Sequence, residues 1–403
     1  MSGIGLLLVL LVLAYTGSIL VGGRTLRGFG LPSGSEYLIL GFVVGPHALN
    51  VAERSVVGEF APLALVGMGW LALVTGLDFG VVGERSIRKR TLAVSLSLGM
   101  ATAAVVACPV AWLAQARFGL PTREAWLLGG GMGAALSETT RHAVRWVVQR
   151  YSARGPLSNL IAEVADADDA VGLFLLAALF ALGSSETAEQ TAVRLGVTLG
   201  GGIAVGVLVA ILFAMEHRLS ESWGLLIGAA LLAIGGAVRL ELAVVSTCFV
   251  MGVTLSLLSR HREEIRNMLR PTHSPVVLPV LLLAGAMVDV DVIGRLGWLV
   301  AAALAARVLA KLLGGAALAR VSRAPAGTAR AAGLGMLSSG SVSVMVGLAY
   351  ALQFPGDVGK LVLLTAVLSS VLGELVGPLS LRSALLRAGE IAASSSRRAG
   401  ETT

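Results

Sequence analysis

Ile161-Ala-Glu-Val-Ala-Asp-Ala-Asp-Asp-Ala-Val-Gly-Leu-Phe-Leu-Leu176 sets Glu163, Asp166, Asp168 and Asp169 directly before a purely apolar run. Arg154-Gly-Pro156 marks the start of this segment about ten residues earlier. At about 1.5 Å of helix per residue, Asp168 and Asp169 lie ~18 Å from that end, near the middle of a layer about 30 Å thick. A charge at that depth costs about 2.5–3.5 kcal/mol on insertion scales and marks an ion or proton path. Glu163 is shallower; it either ends the segment at the interface or lines an access funnel. A carboxylate is both a hard oxygen ligand and a proton acceptor, so one Asp serves a small cation and a proton in turn.

Working outward, similar apolar stretches recur from end to end. The chain has 403 residues, of which 56% are hydrophobic and only 14% charged, against about 25% charged in a soluble domain. Thirteen spans are expected, beginning near Ile4, Glu36, Phe60, Leu92, Ala125, Leu157, Thr191, Ser222, Leu240, Ser274, Leu296, Thr328 and Val358. Long continuous apolar runs indicate helices, not the alternation of a barrel. The first stretch resembles a signal peptide but lacks a basic leading segment, so it reads as a span. No connection is long enough for a separate domain. Residues 1–390 form one transmembrane domain, and 391–403 read as a small, polar, disordered tail.

The formal net charge of +7 does not point to nucleic acid, because the basic residues sit in short connections. Arg85, Arg88, Lys89 and Arg90, then Arg150 and Arg154, then Arg260, Arg262, Arg266 and Arg270 fall in odd-numbered loops. Those loops and the C-terminus are therefore expected in the cytoplasm of an inner-membrane protein, with the N-terminus outside. Cys108 and Cys248 lie in apolar stretches and read as small packing residues. No glycine-rich phosphate loop with its Lys is present, so no ATP site or other cofactor is expected.

Two further anomalies stand out. In the eleventh span, Arg307 and Lys311 are four residues apart and share a helix face; cations here and carboxylates in the sixth span suggest an intramembrane ion pair. In the fifth and twelfth spans, Gly129-Gly-Gly-Met-Gly-Ala-Ala-Leu-Ser-Glu-Thr-Thr-Arg-His142 and Gly333-Leu-Gly-Met-Leu-Ser-Ser-Gly-Ser-Val-Ser343 interrupt apolar sequence with glycines and polar residues. Unwound backbone at membrane depth is tolerated only where it lines a cavity, and paired broken helices point to a transporter's substrate site.

On these residues the chain resembles the cation:proton antiporters, particularly the bacterial Na⁺/H⁺ exchangers of the monovalent cation:proton antiporter-2 group. Asp168-Asp169-Ala-Val-Gly-Leu resembles the family's paired-aspartate motif, and Arg307-Val-Leu-Ala-Lys-Leu-Leu-Gly-Gly its basic helix. Gly333-Leu-Gly-Met resembles the start of its second broken helix, and Glu374-Leu-Val-Gly-Pro378 its closing helix. The resemblance implies an all-α fold of inverted repeats with two discontinuous crossing helices. It implies dimerisation and core subdomains interleaved in sequence, a homodimer in lipid, and elevator-like movement of the core. It also implies that Asp169 binds Na⁺ or a proton and that Asp168 pairs with Lys311, with Arg307 as a second charge partner. Hydroxyls of Ser137 and Thr139 are expected to assist, and the second crossover is Ser338-Ser339-Gly340-Ser341.

The chain departs from the family pattern in the first broken helix, which carries Glu138, Arg141, His142 and Arg145, and at Asp166, one turn before the pair. Glu138, Arg141, His142 and Asp166, with Glu163, are candidate modulators. Glu138 and Arg141 either neutralise each other beside the half-helix ends or alter ion selectivity, and His142 is a candidate pH sensor. K⁺/H⁺ exchange, or a channel or regulatory protein on the same fold, stands as the alternative to Na⁺/H⁺ exchange. An intramembrane protease is disfavoured, because adjacent aspartates on one helix diverge by about 100° and cannot share one water.

Overall fold

A computed structural model describes residues 34–79, 81–82, 85–87, 89–215, 219–321 and 331–391, with five positions between 5 and 12. The expected first span and the tail beyond Ile391 lie outside the described residues. Among those described the chain is all-α, apart from a two-residue ladder pairing Val81–Val82 with Arg85–Ser86.

Helix α1 (Glu36–Val44) closes before Gly45-Pro46, since the residue ahead of a proline is driven out of the helical region. After α2 (Arg54–Glu59), α3 (Ala61–Asp78) carries Pro62 in its first turn, where the missing N–H leaves no bond unmade. The expected spans then follow in register: α4 (Lys89–Phe118), α5 (Thr122–Leu136) with α6 (Arg141–Arg150), and α7 (Pro156–Ala167) with α8 (Asp169–Gly183). Next come α9 (Ala188–Met215), α10 (Leu219–Arg239), α11 (Val244–Leu258), the short amphipathic α12 (Arg262–Leu269) and α13 (His273–Ala286). Helix α14 (Ile293–Val321), a 3₁₀ turn at Leu334–Met336, α15 (Ser341–Gln353) and α16 (Asp357–Arg387) complete the order. Among the described residues, six of these helices (α3, α4, α9, α10, α14 and α16) are by themselves long and apolar enough to cross a membrane.

The described residues fall into two compact units. One gathers those of Met1–Gly22, Gly41–Phe79 and Leu173–Met287; the other gathers those of Gly23–Leu40, Gly80–Gly172 and Val288–Thr403. Within the first unit small residues set the helix crossings, as expected where lipid removes the hydrophobic drive between helices. Gly76 of α3 meets Gly252 of α11, where an added Cβ on either would run into the facing backbone. Buried Arg266 donates to the Leu77 carbonyl at 3.1 Å and pairs with Asp78 at 3.1 Å, closing the end of α3.

The second unit holds every candidate site residue. Helix α5 lies tight on α4, where an added Cβ at Gly133 would stand 2.5 Å from the Ala103 carbonyl. The glycines of the fifth segment therefore do not mark the break expected from them. Gly129, Gly131 and Gly133 stay helical and serve close packing, and the backbone unwinds later, at Ser137–Thr140. Cys108 is also corrected: it is exposed on α4, where lipid suits a small apolar thiol, and only Cys248 is buried.

Candidate functional site

Two interrupted helices meet in the second unit. In the first, α5 ends at Leu136 and α6 begins at Arg141; in the second, residues 337–340 separate the 3₁₀ turn from α15. The Thr140 amide donates to the Ser338 carbonyl at 3.4 Å, so the two breaks touch through backbone. Glycines on α16 make room for the second break: an added Cβ at Gly373 would stand 2.6 Å from the Ser339 nitrogen.

Each break leaves carbonyls at the end of one half-helix and N–H groups at the start of the next. Arg307 of α14 answers the carbonyls. Its guanidinium donates to Leu136 at 3.2 Å, Glu138 at 3.2 Å, Leu337 at 3.0 Å and Ser338 at 2.9 Å, joining both half-helix ends. A fork of fixed donors suits this task better than an ammonium. Glu138 answers the N–H groups. Its carboxylate accepts from the Gly340 amide at 2.6 Å and the Ser343 amide at 3.0 Å, capping α15 where the helix dipole favours a negative charge. Glu138 and Arg141 thus take different partners.

Lys311 lies one turn beyond Arg307 and is fully buried. Its ammonium donates to the Ser137 carbonyl at 2.6 Å, Thr139 Oγ1 at 2.9 Å and Asp168 Oδ2 at 2.9 Å. Asp168 accepts the Thr139 amide on its other oxygen at 3.0 Å. Neither expected hydroxyl is hydrogen-bonded to Asp169: Ser137 Oγ donates back to the Ala134 carbonyl at 2.9 Å, and Thr139 Oγ1 serves Lys311. Ser338, Ser339 and Ser341 are buried around the second break, and the Ser339 hydroxyl lies 3.5 Å from Glu138.

Asp169 opens α8 and is buried, yet neither of its carboxylate oxygens has a hydrogen-bond partner among the described residues. Arg141 stands near it, with Nη2 at 3.6 Å, while its Nη1 is 3.7 Å from Asp166. Asp166 is held more firmly by Arg145, through two bonds of 3.0 and 3.1 Å. His142 is half-buried on the first turn of α6, and Glu163 is half-buried on α7. An unbonded buried carboxylate is costly and calls for a ligand.

The transmembrane model of the sodium/hydrogen exchanger family matches residues 9–382. The chain belongs to that family. As a sodium/hydrogen exchanger it is a multi-pass membrane transporter, not an enzyme, and membership supports exchange of a cation for protons. No curated protein matches this exchanger. Its fold is similar to that of the sodium proton antiporter MjNhaP1 from Methanocaldococcus jannaschii at pH 8. That likeness has 15% identity and a TM-score of 0.67, and covers 93% of this chain and 98% of the other. An electron-microscopy structure of the same antiporter gives 16% identity and a TM-score of 0.64 over 96% of this exchanger and 98% of the other chain. These likenesses carry the fold.

Proposed function

We propose that this chain exchanges a monovalent cation, Na⁺ in the first instance, for protons, with Asp169 as the group that binds either cargo. The observation that carries this reading is the buried Asp169 carboxylate beside two broken helices, whose oxygens accept no hydrogen bond among the described residues. Asp168 supports it from the side, its charge already met by Lys311. Binding of a dehydrated cation excludes the proton, and the reverse, so each crossing carries one kind of cargo. Competition at one carboxylate is all the coupling that exchange requires.

The unit holding Asp169, Arg307 and both breaks is proposed as the mobile core, and the other as the dimerisation scaffold of a homodimer. Supporting this division, hydrogen bonds donated by Arg307 and Lys311, and one that Glu138 accepts from Gly340, tie the breaks to α14 and α15 within one unit. The core then carries its cargo across by an elevator-like movement. The chain is placed in the cytoplasmic membrane with its C-terminus inside, on the strength of the basic loops. K⁺ remains the rival cargo, since carboxylate number does not separate it from Na⁺.

The test is proton movement in proteoliposomes, read by a pH-gradient dye as Na⁺, Li⁺, K⁺ or choline is added. Cation-dependent dissipation in the wild type, absent in Asp169→Asn, is expected and names the ion. A wild-type protein silent to every cation would end the exchange reading.

A further inference from the structure

The buried carboxylates Glu138, Asp166, Asp168 and Asp169 differ in how their charge is met. Asp168 is 2.9 Å from Lys311, Asp166 is 3.0 Å from Arg145 and Asp169 is 3.6 Å from Arg141. Glu138 is only 2% exposed, yet it forms no ion pair among the described residues. Its hydrogen bonds among those residues all fall on one oxygen. Oε1 accepts from the Gly340 amide at 2.6 Å, the Ser343 amide at 3.0 Å and the Ser339 hydroxyl at 3.5 Å, while Oε2 accepts none. A buried charge is stable only when it is paired or holds a ligand. Two neutral amides and the dipole of α15 meet part of that demand.

A second, independent observation lies beside it. The hydroxyls of Ser338 and Ser343 are buried, and neither is hydrogen-bonded among the described residues. Ser343 is a residue whose own amide binds Glu138, and Ser338 precedes the other amide donor, Gly340, by two positions. Buried hydroxyls ordinarily find a partner, so two without one, flanking a carboxylate oxygen in the same state, point to a shared ligand. A carboxylate oxygen supplies charge and each hydroxyl supplies lone pairs, the hard donor set of a small cation.

We propose that Glu138 Oε2, with the Ser338 and Ser343 hydroxyls, forms a second binding position for a monovalent cation, distinct from Asp169. One carboxylate then does two jobs. Oε1 holds the start of α15, and Oε2 takes and releases the ion without breaking that cap. The ion meets the charge that no fixed guanidinium or ammonium reaches, and it completes the junction of the two breaks. Asp169 opens α8, whereas Glu138 lies in the first break, so each position can be removed without the other.

The inference goes beyond the exchange reading and is tested by binding, not transport. Equilibrium binding of radioactive Na⁺, with K⁺ run in parallel, is counted per chain on purified protein in detergent at alkaline pH, where protons compete least. The wild type is expected to hold one cation more than Glu138→Gln, whose remaining carbonyl oxygen still accepts the α15 amides. Asp169→Asn is expected to lose the other cation and keep this one, and the double variant to hold neither. Ser338→Ala and Ser343→Ala leave every backbone group in place. Each is expected to weaken the second cation by at least the roughly 10-fold that loss of even an outer-shell partner costs a metal site. Equal counts in wild type and Glu138→Gln would overturn the inference, and would assign Glu138 a proton or the cap alone. Should Glu138→Gln fail to purify monodisperse, unchanged binding in both serine variants would overturn it as well. A wild type that binds the second cation but is silent in the pH-gradient assay removes the exchange reading and leaves this position standing.

Discussion

Asp168 and Asp169 are neighbours in sequence and opposites in environment. Successive helical residues point about 100° apart, so the first reaches Lys311 across the break while the second faces Arg141. That divergence was readable from the adjacency alone, as was the shared face of Arg307 and Lys311. The partners of Glu138 and Arg145 were not. Glu138 caps an amide 202 positions away, and Arg145 binds an Asp 21 positions away on another helix, distances that no local pattern reports. Removing one member of the buried pair leaves the other uncompensated at a cost of about 3–5 kcal/mol. Lys311→Ala is therefore expected to lower the thermal unfolding temperature in detergent sharply, and adding Asp168→Asn to recover part of the loss. Glu138→Ala strips the α15 amides of their acceptor, a loss of about 1–3 kcal/mol, read in the same assay.

At the scale of elements, glycine proved a poor guide to where a helix breaks. In α5 the glycines stay helical, because their backbone groups have no water to turn to and a neighbour packs against them, whereas Gly340 lies in the second break. The chain unwinds instead at Ser137–Thr140, where Arg307, Lys311 and Asp168 supply replacement partners. Two predictions belong here. Gly133→Ala places a methyl against the Ala103 carbonyl and is expected to cut the yield of monodisperse protein, whereas Gly224→Ala on α10, with nothing within 4 Å, leaves it unchanged. The second concerns the start of α7, the helix leading to the aspartates. Glu390 accepts the Leu157 amide at 2.6 Å and the Ser158 amide at 2.8 Å, capping that helix from beyond the end of α16. Glu390→Ala should cost about 1 kcal/mol, as loss of a side-chain cap does. Faster hydrogen exchange in the first turn of α7 is the measurement that checks it.

For the whole molecule, the long apolar runs were enough to place the spans among the described residues, because bilayer thickness fixes helix length regardless of partners. The proposed sidedness is tested with single cysteines in a background lacking Cys108 and Cys248. An impermeant thiol reagent should label Thr122→Cys in intact cells and leave Arg150→Cys unlabelled until the membrane is opened; both positions are exposed. The elevator reading expects spin labels, one in each unit, to shift their mutual distance distribution between Na⁺-loaded and acidic conditions. The pairing of Lys311 with Asp168 also bears on synthesis. The two are 143 residues apart, and a ribosome adding about 5–20 residues per second takes about 7–30 s to cover that interval. Throughout it the acidic helix has left the ribosome without its basic partner. A nascent chain stalled before Arg307 is thus expected to be a substrate for membrane quality-control proteases and insertion chaperones, and one stalled beyond Lys311 to escape them.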